Sequence, residues 1–288
     1  MNKSTLSVCA IGLMTLAGTQ QSQAQELIYA VTNTQNLVTW DSSAPGNLLS
    51  GVALSGLASN ETIRGIDFRP ATGELFALGS FNNLYTVNAL TGSASLVGAG
   101  SFSPAMNGSS FGFDFNPVID RIRVVSDVNQ NLVLNPNDGT STQVTDVFYG
   151  PGDPNEGLDP NIVSSGYTNS VMGATSTQLY GIDTGLDILV TQANSAGTLM
   201  TVGSLGVDLN DTASFDISGF SGIAYGTVQA ADQSKSVFWS VNLATGQSST
   251  IGDIGGGALI TAMTTAVPTP AGALLFGAAL PFAARRRR

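Results

Sequence analysis

The chain has 288 residues, of which 42% are hydrophobic and 10% are charged, and its formal net charge is −10. All twenty acidic residues lie between residues 25 and 266, where five basic residues accompany them, so this body carries a net charge of −15. Such a body repels the phosphates of nucleic acids and the headgroups of anionic lipids, which excludes nucleic-acid binding from the expected functions.

Residues 1–24 are predicted to be a secretory signal peptide. Lys3 supplies the positive charge at its start, residues 6–17 are apolar, and Ser22-Gln23-Ala24 places small residues before a cleavage site after Ala24. The apolar stretch is too short to cross about 30 Å of hydrocarbon. We therefore expect signal peptidase to be a partner, and export through the inner membrane to the cell surface or beyond.

The mature chain would contain neither cysteine nor histidine, because Cys9, the one cysteine, lies in the signal segment. This composition excludes a disulfide, a thiol nucleophile, a Ser-His-Asp triad and a zinc site with histidine ligands. No phosphate-binding loop leads from a strand into a helix, so nucleotide binding has no support either. The sequence does not name a reaction.

A repeated pattern of short strands follows the signal peptide. Five segments each contain an alternating strand, a polar turn and a second alternating strand; they cover residues 27–41, 74–92, 121–139, 178–197 and 223–246. A third strand often follows, as in SASLVGAG and SSTIGDIG. The first strands begin 48, 46, 58 and 44 residues apart. This spacing is typical of four-stranded propeller blades.

A fourth strand can be found in front of most of these segments. The candidates are TIRGIDFRP (62–70), SSFGFDFNP (109–117), NSVMGATS (169–176) and ASFDISGF (213–220). The first segment has none, and GALITAMTTAV (257–267) could supply it from the other end of the domain, which would hide both sheet edges. We predict an all-β five-bladed propeller over residues 25–266. The alternatives are six blades, with a degenerate one in residues 150–170, and a β-sandwich or β-solenoid.

Several of these stretches resemble the family catalogued as DUF4394. They are GIDFRPATGELFALGS (65–80), LYTVNALTGSASLVG (84–98), FGFDFNPVIDRIRVVSDVNQNLVLNPNDG (111–139) and the later LYGIDTGLDILVTQ (179–192) with GTLMTVGSLGVD (197–208). The resemblance extends over about residues 27–266. It implies a propeller-like, secreted bacterial protein, and it brings no established activity and no catalytic residues.

Three aspartates of the candidate innermost strands are either structural residues or a candidate catalytic site. Asp67 and Asp114 hold equivalent positions in GIDFRP and GFDFNP, and Asp216 lies in the fifth such strand. Such carboxylates can accept backbone N–H groups and be structural. Alternatively, they line the central channel, where a pair about 5–9.5 Å apart could serve a glycoside hydrolase. The glycines of the same motifs, Gly65 and Gly112, predict close packing of the innermost strands.

The segment YGPGDPNEGLDPNIVSSGYTN (149–169) accounts for the longest spacing and is predicted to be an insertion loop. Asp153, Asn155 and Asp159 are its candidate calcium ligands, since hard cations take several oxygen ligands from a sharply turning loop. Asx turns produce the same clusters for backbone reasons alone. No other cofactor is expected.

The last 22 residues, VPTPAGALLFGAALPFAARRRR, differ from the rest of the chain and resemble the PEP-CTERM class of sorting signals in its VPxPA form. The residues that carry the likeness are Val267, Pro268, Pro270, Arg285, Arg286, Arg287 and Arg288. The resemblance implies an exosortase-type partner, cleavage near Val267–Pro270, and a short apolar helix that contacts the membrane transiently. Thr269 stands where an acidic residue would be expected.

The sequence leaves three functions open. The first is an exported, non-catalytic binding or structural module at the cell surface or in the extracellular matrix, with a polysaccharide as candidate ligand. The second is a hydrolase that acts on a glycan through Asp67, Asp114 and Asp216. The third is a scaffold stabilised by calcium.

Overall fold

The computed structural model describes residues 25–268, which form five sheets arranged in a ring. From the axis outward, blade 1 consists of β21 (Ile260–Thr265), β1 (Leu27–Thr32), β2 (Asn36–Asp41) and β3 (Leu48–Ala53). Blade 2 consists of β4 (Ile63–Phe68), β5 (Leu75–Gly79), β6 (Leu84–Val87) and β7 (Ala94–Val97). Blade 3 consists of β8 (Phe111–Asn116), β9 (Arg121–Ser126), β10 (Asn131–Leu134) and β11 (Ser141–Gln143).

Blade 4 is the one blade with five strands. It consists of β13 (Ile162–Tyr167), β14 (Leu179–Asp183), β15 (Ile188–Gln192), β16 (Thr198–Ser204) and the outermost β12 (Phe148–Tyr149), which runs parallel to β16. Blade 5 consists of β17 (Ser214–Ile217), β18 (Ala224–Gln229), β19 (Ser236–Val241) and β20 (Ser248–Asp253). The described residues therefore form a five-bladed propeller, as the repeat spacing predicted, and the six-bladed alternative is wrong.

The ring closes as predicted, through a strand from the far end of the domain. β21 pairs antiparallel with β1, from Ile28 opposite Thr265 to Thr32 opposite Ile260. The innermost strand of every blade contacts the innermost strands of both neighbours, so five strands surround the axis. Because β1 and β21 pair with each other, neither end of the described chain leaves an inner sheet edge unpaired.

The core is divided among the blade interfaces. Five hydrophobic clusters lie one between each pair of neighbouring blades. In these clusters aromatic rings meet across the interface, as Phe76 of blade 2 meets Phe115 of blade 3 edge to face at 5.1 Å. Alternation along each strand sends side chains to the two faces of a blade, so each blade contributes to two clusters.

One predicted strand is placed wrongly. Residues 169–176, expected to be the innermost strand of blade 4, form turns in which Asn169 and Gly173 have φ angles of 56° and 77°. The innermost strand is β13, at the end of the segment that was predicted to be entirely loop, and all six of its residues are buried. The motif that marks the other innermost strands is absent from β13, because Gly166 stands where they carry a polar side chain.

No helix long and apolar enough to cross a membrane occurs within residues 25–268. The predicted signal peptide and most of the predicted sorting signal lie outside the described residues. Val267 is described and belongs to the hydrophobic cluster between blades 1 and 2, so the packed structure continues to this residue.

Candidate functional site

The three aspartates predicted to converge do meet on the propeller axis. Asp67, Asp114 and Asp216 lie on β4, β8 and β17, and each contributes a carboxyl oxygen to a group whose members lie within 4.8 Å of one another. All three are buried. The equivalent positions in the other two innermost strands are Gly166 on β13 and Thr264 on β21. We call these five positions the axial ring.

The carboxyl groups of the axial ring tie neighbouring blades together. Asp67 accepts the backbone N–H of Phe115 in the next blade at 2.8 Å, and Asp114 accepts that of Tyr167 at 3.1 Å. Asp216 accepts that of Thr265 at 2.6 Å. Each bond reaches the residue that follows the equivalent position in the next innermost strand. The same side chain therefore repeats the same link around the ring.

The remaining oxygens of the ring are also partnered. Asp67 Oδ1 accepts the N–H of Phe68 at 2.7 Å, and Asp216 Oδ1 accepts the N–H of Ile217 at 2.5 Å. The hydroxyl of Thr264 lies 2.8 Å from Asp67 and 3.1 Å from Asp216. Five of the six carboxyl oxygens thus accept a backbone N–H. A hydrogen bond with Asp216 is among the causes that raise the pKa of Asp114.

Burial changes the acidity of this cluster. Removal from water raises the pKa of Asp67 well above its ordinary value, and the charge of Asp216 raises it further. The pKa of Asp114 is raised by burial first and then by the charges of Asp67 and Asp216. Carboxyl groups in this environment keep protons that exposed aspartates lose, and a protonated carboxyl can donate a hydrogen bond to its neighbour.

The three carboxyls are also a donor set that a hard cation could use. Ca²⁺ takes six to eight oxygen ligands. In the axial ring the backbone N–H groups already point at five of the six carboxyl oxygens. These backbone donors occupy most of the oxygens that a cation would use.

A cavity of about 380 Å³ opens at the end of the propeller where the innermost strands begin. Its inner wall includes Ile66, Phe113 and Phe215, the residues that directly precede the three aspartates. The aspartates themselves do not line it. We call this cavity the mouth. Ile66, Phe113 and Phe215 form an apolar layer between it and the axial ring.

Arg64 is the cation of the mouth, and sequence reasoning missed it. It is the second residue of β4 and lies at a register irregularity between Ile63 and Gly65 in the pairing with β5. Such bulges re-aim side chains, and Arg64 is exposed on the cavity wall. Among the described residues the ion pairs are Arg69 with Asp120 and Lys235 with Asp253, so Arg64 has no carboxylate partner there. The scarcity of basic residues was the signal that could have pointed to it.

Asp211 and polar side chains complete the mouth. Asp211 Oδ1 accepts hydrogen bonds from Asn161 Nδ2 at 2.9 Å and from Thr184 Oγ1 at 2.6 Å. The side chains of Asn33 and Ser109 are exposed on the wall nearby. The mouth therefore combines one cation, one anion, neutral polar groups and an apolar inner wall.

The predicted calcium ligands Asp153 and Asp159 hydrogen-bond to different parts of the protein. The carboxylate of Asp153 accepts the backbone N–H groups of Asn155 at 2.8 Å and Thr201 at 2.5 Å, together with the hydroxyl of Thr201 at 2.9 Å. Asp159 instead accepts Nδ2 of Asn129 at 2.6 Å. These bonds give Asp153 a structural role, since it fastens the loop to β16.

The predicted glycine packing is present in the structure. A Cβ placed on Gly65 would lie 2.5 Å from Cβ of Phe113, and one placed on Gly112 would lie 2.3 Å from Oγ of Ser165. Such distances leave no room for a side chain.

The sorting residues Ala24, Pro270 and Arg285 to Arg288 lie outside the described residues, while Pro268 is half-buried.

Comparison with known proteins supports the fold and identifies the family. A chain from a nidogen/laminin complex is 11% identical with a TM-score of 0.50, and the match covers 84% of this chain and 98% of that one. A protein from Lactobacillus plantarum is 17% identical with a TM-score of 0.42, over 83% and 71% of the two chains. None of the curated proteins compared with the chain matches it. The model of the domain of unknown function DUF4394 matches residues 36–264, and the chain belongs to this family.

Proposed function

We propose that this protein is an exported, non-catalytic propeller that acts as a binding or structural module at the cell surface or in the extracellular matrix. The observation that carries the proposal is the use of the axial carboxyls. They are buried, they accept backbone N–H groups between blades, and an apolar layer separates them from the mouth. Groups arranged in this way stabilise the ring and have no access to a polymer substrate.

The mouth lacks the pair of acids that a glycoside hydrolase uses. Hydrolysis of a glycosidic bond requires two carboxyl groups across the sugar. Asp211 is the one acidic residue on the described wall of the mouth. A concave site that presents a few polar groups against an apolar wall is suited to holding a ligand.

The proposed location depends on the two ends of the chain. Residues 1–24 have the pattern of a signal peptide, and residues 267–288 resemble a PEP-CTERM signal that an exosortase-type enzyme would process. The net charge of −15 over residues 25–266 suits a soluble domain held away from anionic lipids. Mass spectrometry of the surface-exposed protein tests this assignment: we expect loss of the four terminal arginines, and a mature protein that retains Arg288 would contradict it.

A glycan array and a pull-down with matrix polysaccharide test the binding function. We expect retention of the full chain on at least one glycan, with and without calcium, and no release of reducing ends during the incubation. The control is the same protein after heat denaturation. Absence of retention on every glycan would count against binding, and release of reducing ends that is lost in Asp67→Asn and Asp114→Asn would establish a hydrolase instead.

A further inference from the structure

We infer that the mouth of the propeller binds a carboxylate-bearing sugar unit, either a free sugar acid or the end of an acidic glycan chain, and that Arg64 binds its carboxylate. This inference rests on the proposed function, because it names the site and the ligand class of that binding module. Four properties of the mouth carry it: its cation, its unused polar groups, its apolar wall and the charge of the surrounding surface.

Arg64 is an anion-binding group by position as well as by charge. It lies at a bulge in β4, lines the wall of the mouth and is exposed. A guanidinium presents its N–H groups as a planar fork, which matches a carboxylate in a bidentate pair. The other arginines of the described chain differ. Arg69 is paired with Asp120, Arg121 donates to the backbone oxygen of Asp120, and Arg123 is buried among neutral partners.

The polar groups of the mouth suit hydroxyls. Within the described chain, hydrogen bonds occupy Oδ1 of Asp211 and leave its Oδ2 available as an acceptor. Asn33 and Ser109 add an amide and a hydroxyl that can each donate and accept. A ligand with several hydroxyl groups can use all of these, whereas a simple anion such as sulfate can use only the donors.

The apolar part of the wall suits a sugar ring. Phe111 is half-buried at the start of β8, and Ile66, Phe215 and Met263 lie deeper in the mouth. An aromatic ring can cover the apolar face of a pyranose while polar groups bind its edge. The volume of about 380 Å³ falls within the range of small-molecule sites.

The acidic surface limits the ligand to a single local charge. The body around Arg64 carries a net charge of −15, so a polyanion that extends across it would be repelled. Beyond about 8 Å, salt at physiological strength screens exposed charges. A single carboxylate that enters the mouth therefore responds to Arg64 more than to the distant acids, which favours a chain end over the interior of an acidic polymer.

Binding of glucuronate and galacturonate to the full chain, measured by calorimetry or NMR titration, tests the inference. Glucose and galactose are the matched neutral sugars. A short oligogalacturonide distinguishes binding of a chain end from binding of a free sugar. Glutamate tests whether the mouth prefers an amino acid to a sugar acid. We expect the wild-type protein to bind a sugar acid at least about tenfold more tightly than the neutral sugar, as for a hydrogen bond to a charged group. Tighter binding of the oligomer than of the monomer would identify a chain end.

Variants then assign the effect to Arg64. Arg64→Gln should abolish the preference for the acid without changing the melting temperature, and Arg64→Lys should retain part of it. The matched control is Arg121→Gln, which removes the same charge from a half-buried arginine outside the mouth and should bind as the wild type does.

Four results would overturn the inference: no saturable binding of either sugar acid, equal affinity in Arg64→Gln, equal loss in Arg121→Gln, or tighter binding of glutamate than of the sugar acids. The glycan array separates this failure from failure of the proposed function. Retention on a glycan that Arg64→Gln does not reduce would leave the binding module intact and place its site elsewhere.

Discussion

Two groups of charged side chains lie on the same axis of this propeller, and they differ in what satisfies them. In the axial ring, Asp67 accepts hydrogen bonds from two backbone N–H groups and one hydroxyl. Three residues earlier on the same strand, Arg64 faces the mouth with no ion-pair partner among the described residues. Convergence of charged residues therefore does not by itself indicate a ligand site. A charge that the fold has already satisfied serves the fold.

The largest expected effect comes from removing a carboxyl of the ring. Asp67→Ala would leave the buried N–H groups of Phe68 and Phe115 without acceptors, at a cost of about 1–3 kcal/mol for each. We therefore expect the free energy of unfolding in urea to fall by about 3 kcal/mol. Arg64→Gln on the same strand is the control, and it should stay within about 0.5 kcal/mol of the wild type. Equal effects of the two variants would contradict the claim that the axial ring stabilises the fold and Arg64 does not.

The stability of the protein should also be sensitive to an increase in side-chain volume on β4, between the two groups. Gly65→Ala would force its new Cβ to within 2.5 Å of Phe113, which lies in the apolar layer between ring and mouth. We expect a loss of about 1–3 kcal/mol in urea unfolding, as for other overpacked cores. The matched control is Gly51→Ala on β3, where the nearest atom would be 3.6 Å away. A Gly65→Ala variant as stable as Gly51→Ala would show that the layer is loosely packed.

The repeat pattern predicted much of this arrangement because strand alternation carries the information. Gly65, Asp67 and Phe68 mark an innermost strand, and their repetition at Gly112 and Asp114 predicted both the ring of strands and the convergence of the acids. The innermost strand of blade 4 was not predicted correctly, because it carries Gly166 where the motif has an aspartate. The pattern predicts the face of a strand on which a side chain lies. It does not predict where along the axis the apolar layer lies, and therefore which charged groups are buried beneath it.

A subtler change tests the protonation of the ring. In Asp114→Asn, Oδ1 can still accept the N–H of Tyr167, while Nδ2 can donate to Asp216 in place of a shared proton. The variant also removes one of the three buried carboxyl groups, which repel one another when they are ionised. We expect its free energy of unfolding at pH 7 to rise by about 1 kcal/mol.

The dependence on pH provides the second half of that test. Burial raises the pKa of Asp67 and Asp114 above the ordinary value of 3.8, so the folded protein keeps protons that the unfolded chain releases. This stabilisation is fully present below pH 3.8 and is lost as the pH rises through the folded-state pKa values. Wild-type stability from these groups should therefore fall as the pH rises above 3.8, and less steeply in Asp114→Asn. A variant that is less stable than the wild type at pH 7 would mean that the charge of Asp114 has a partner.

The smallest expected effect concerns calcium. A cation bound to the folded protein at one hundred times its dissociation constant would add about 2.7 kcal/mol to stability, and a chelator would remove it. The backbone N–H groups at the axial carboxyls and the Thr201 contacts of Asp153 already supply the partners that such an ion would replace. We therefore expect the melting temperature to be the same in millimolar calcium and in chelator, within about 1 °C.

If a chelator does lower the melting temperature, two variants decide which carboxyls are responsible. Asp153→Asn would remove the response if the ion lies in the loop, and Asp114→Asn would remove it if the ion lies on the axis. The second outcome would convert the axial ring from a proton-sharing link into a metal centre. It would then be the mouth, with its single unpaired guanidinium, that remains to account for ligand binding, because the axial carboxyls would still lie behind Ile66, Phe113 and Phe215.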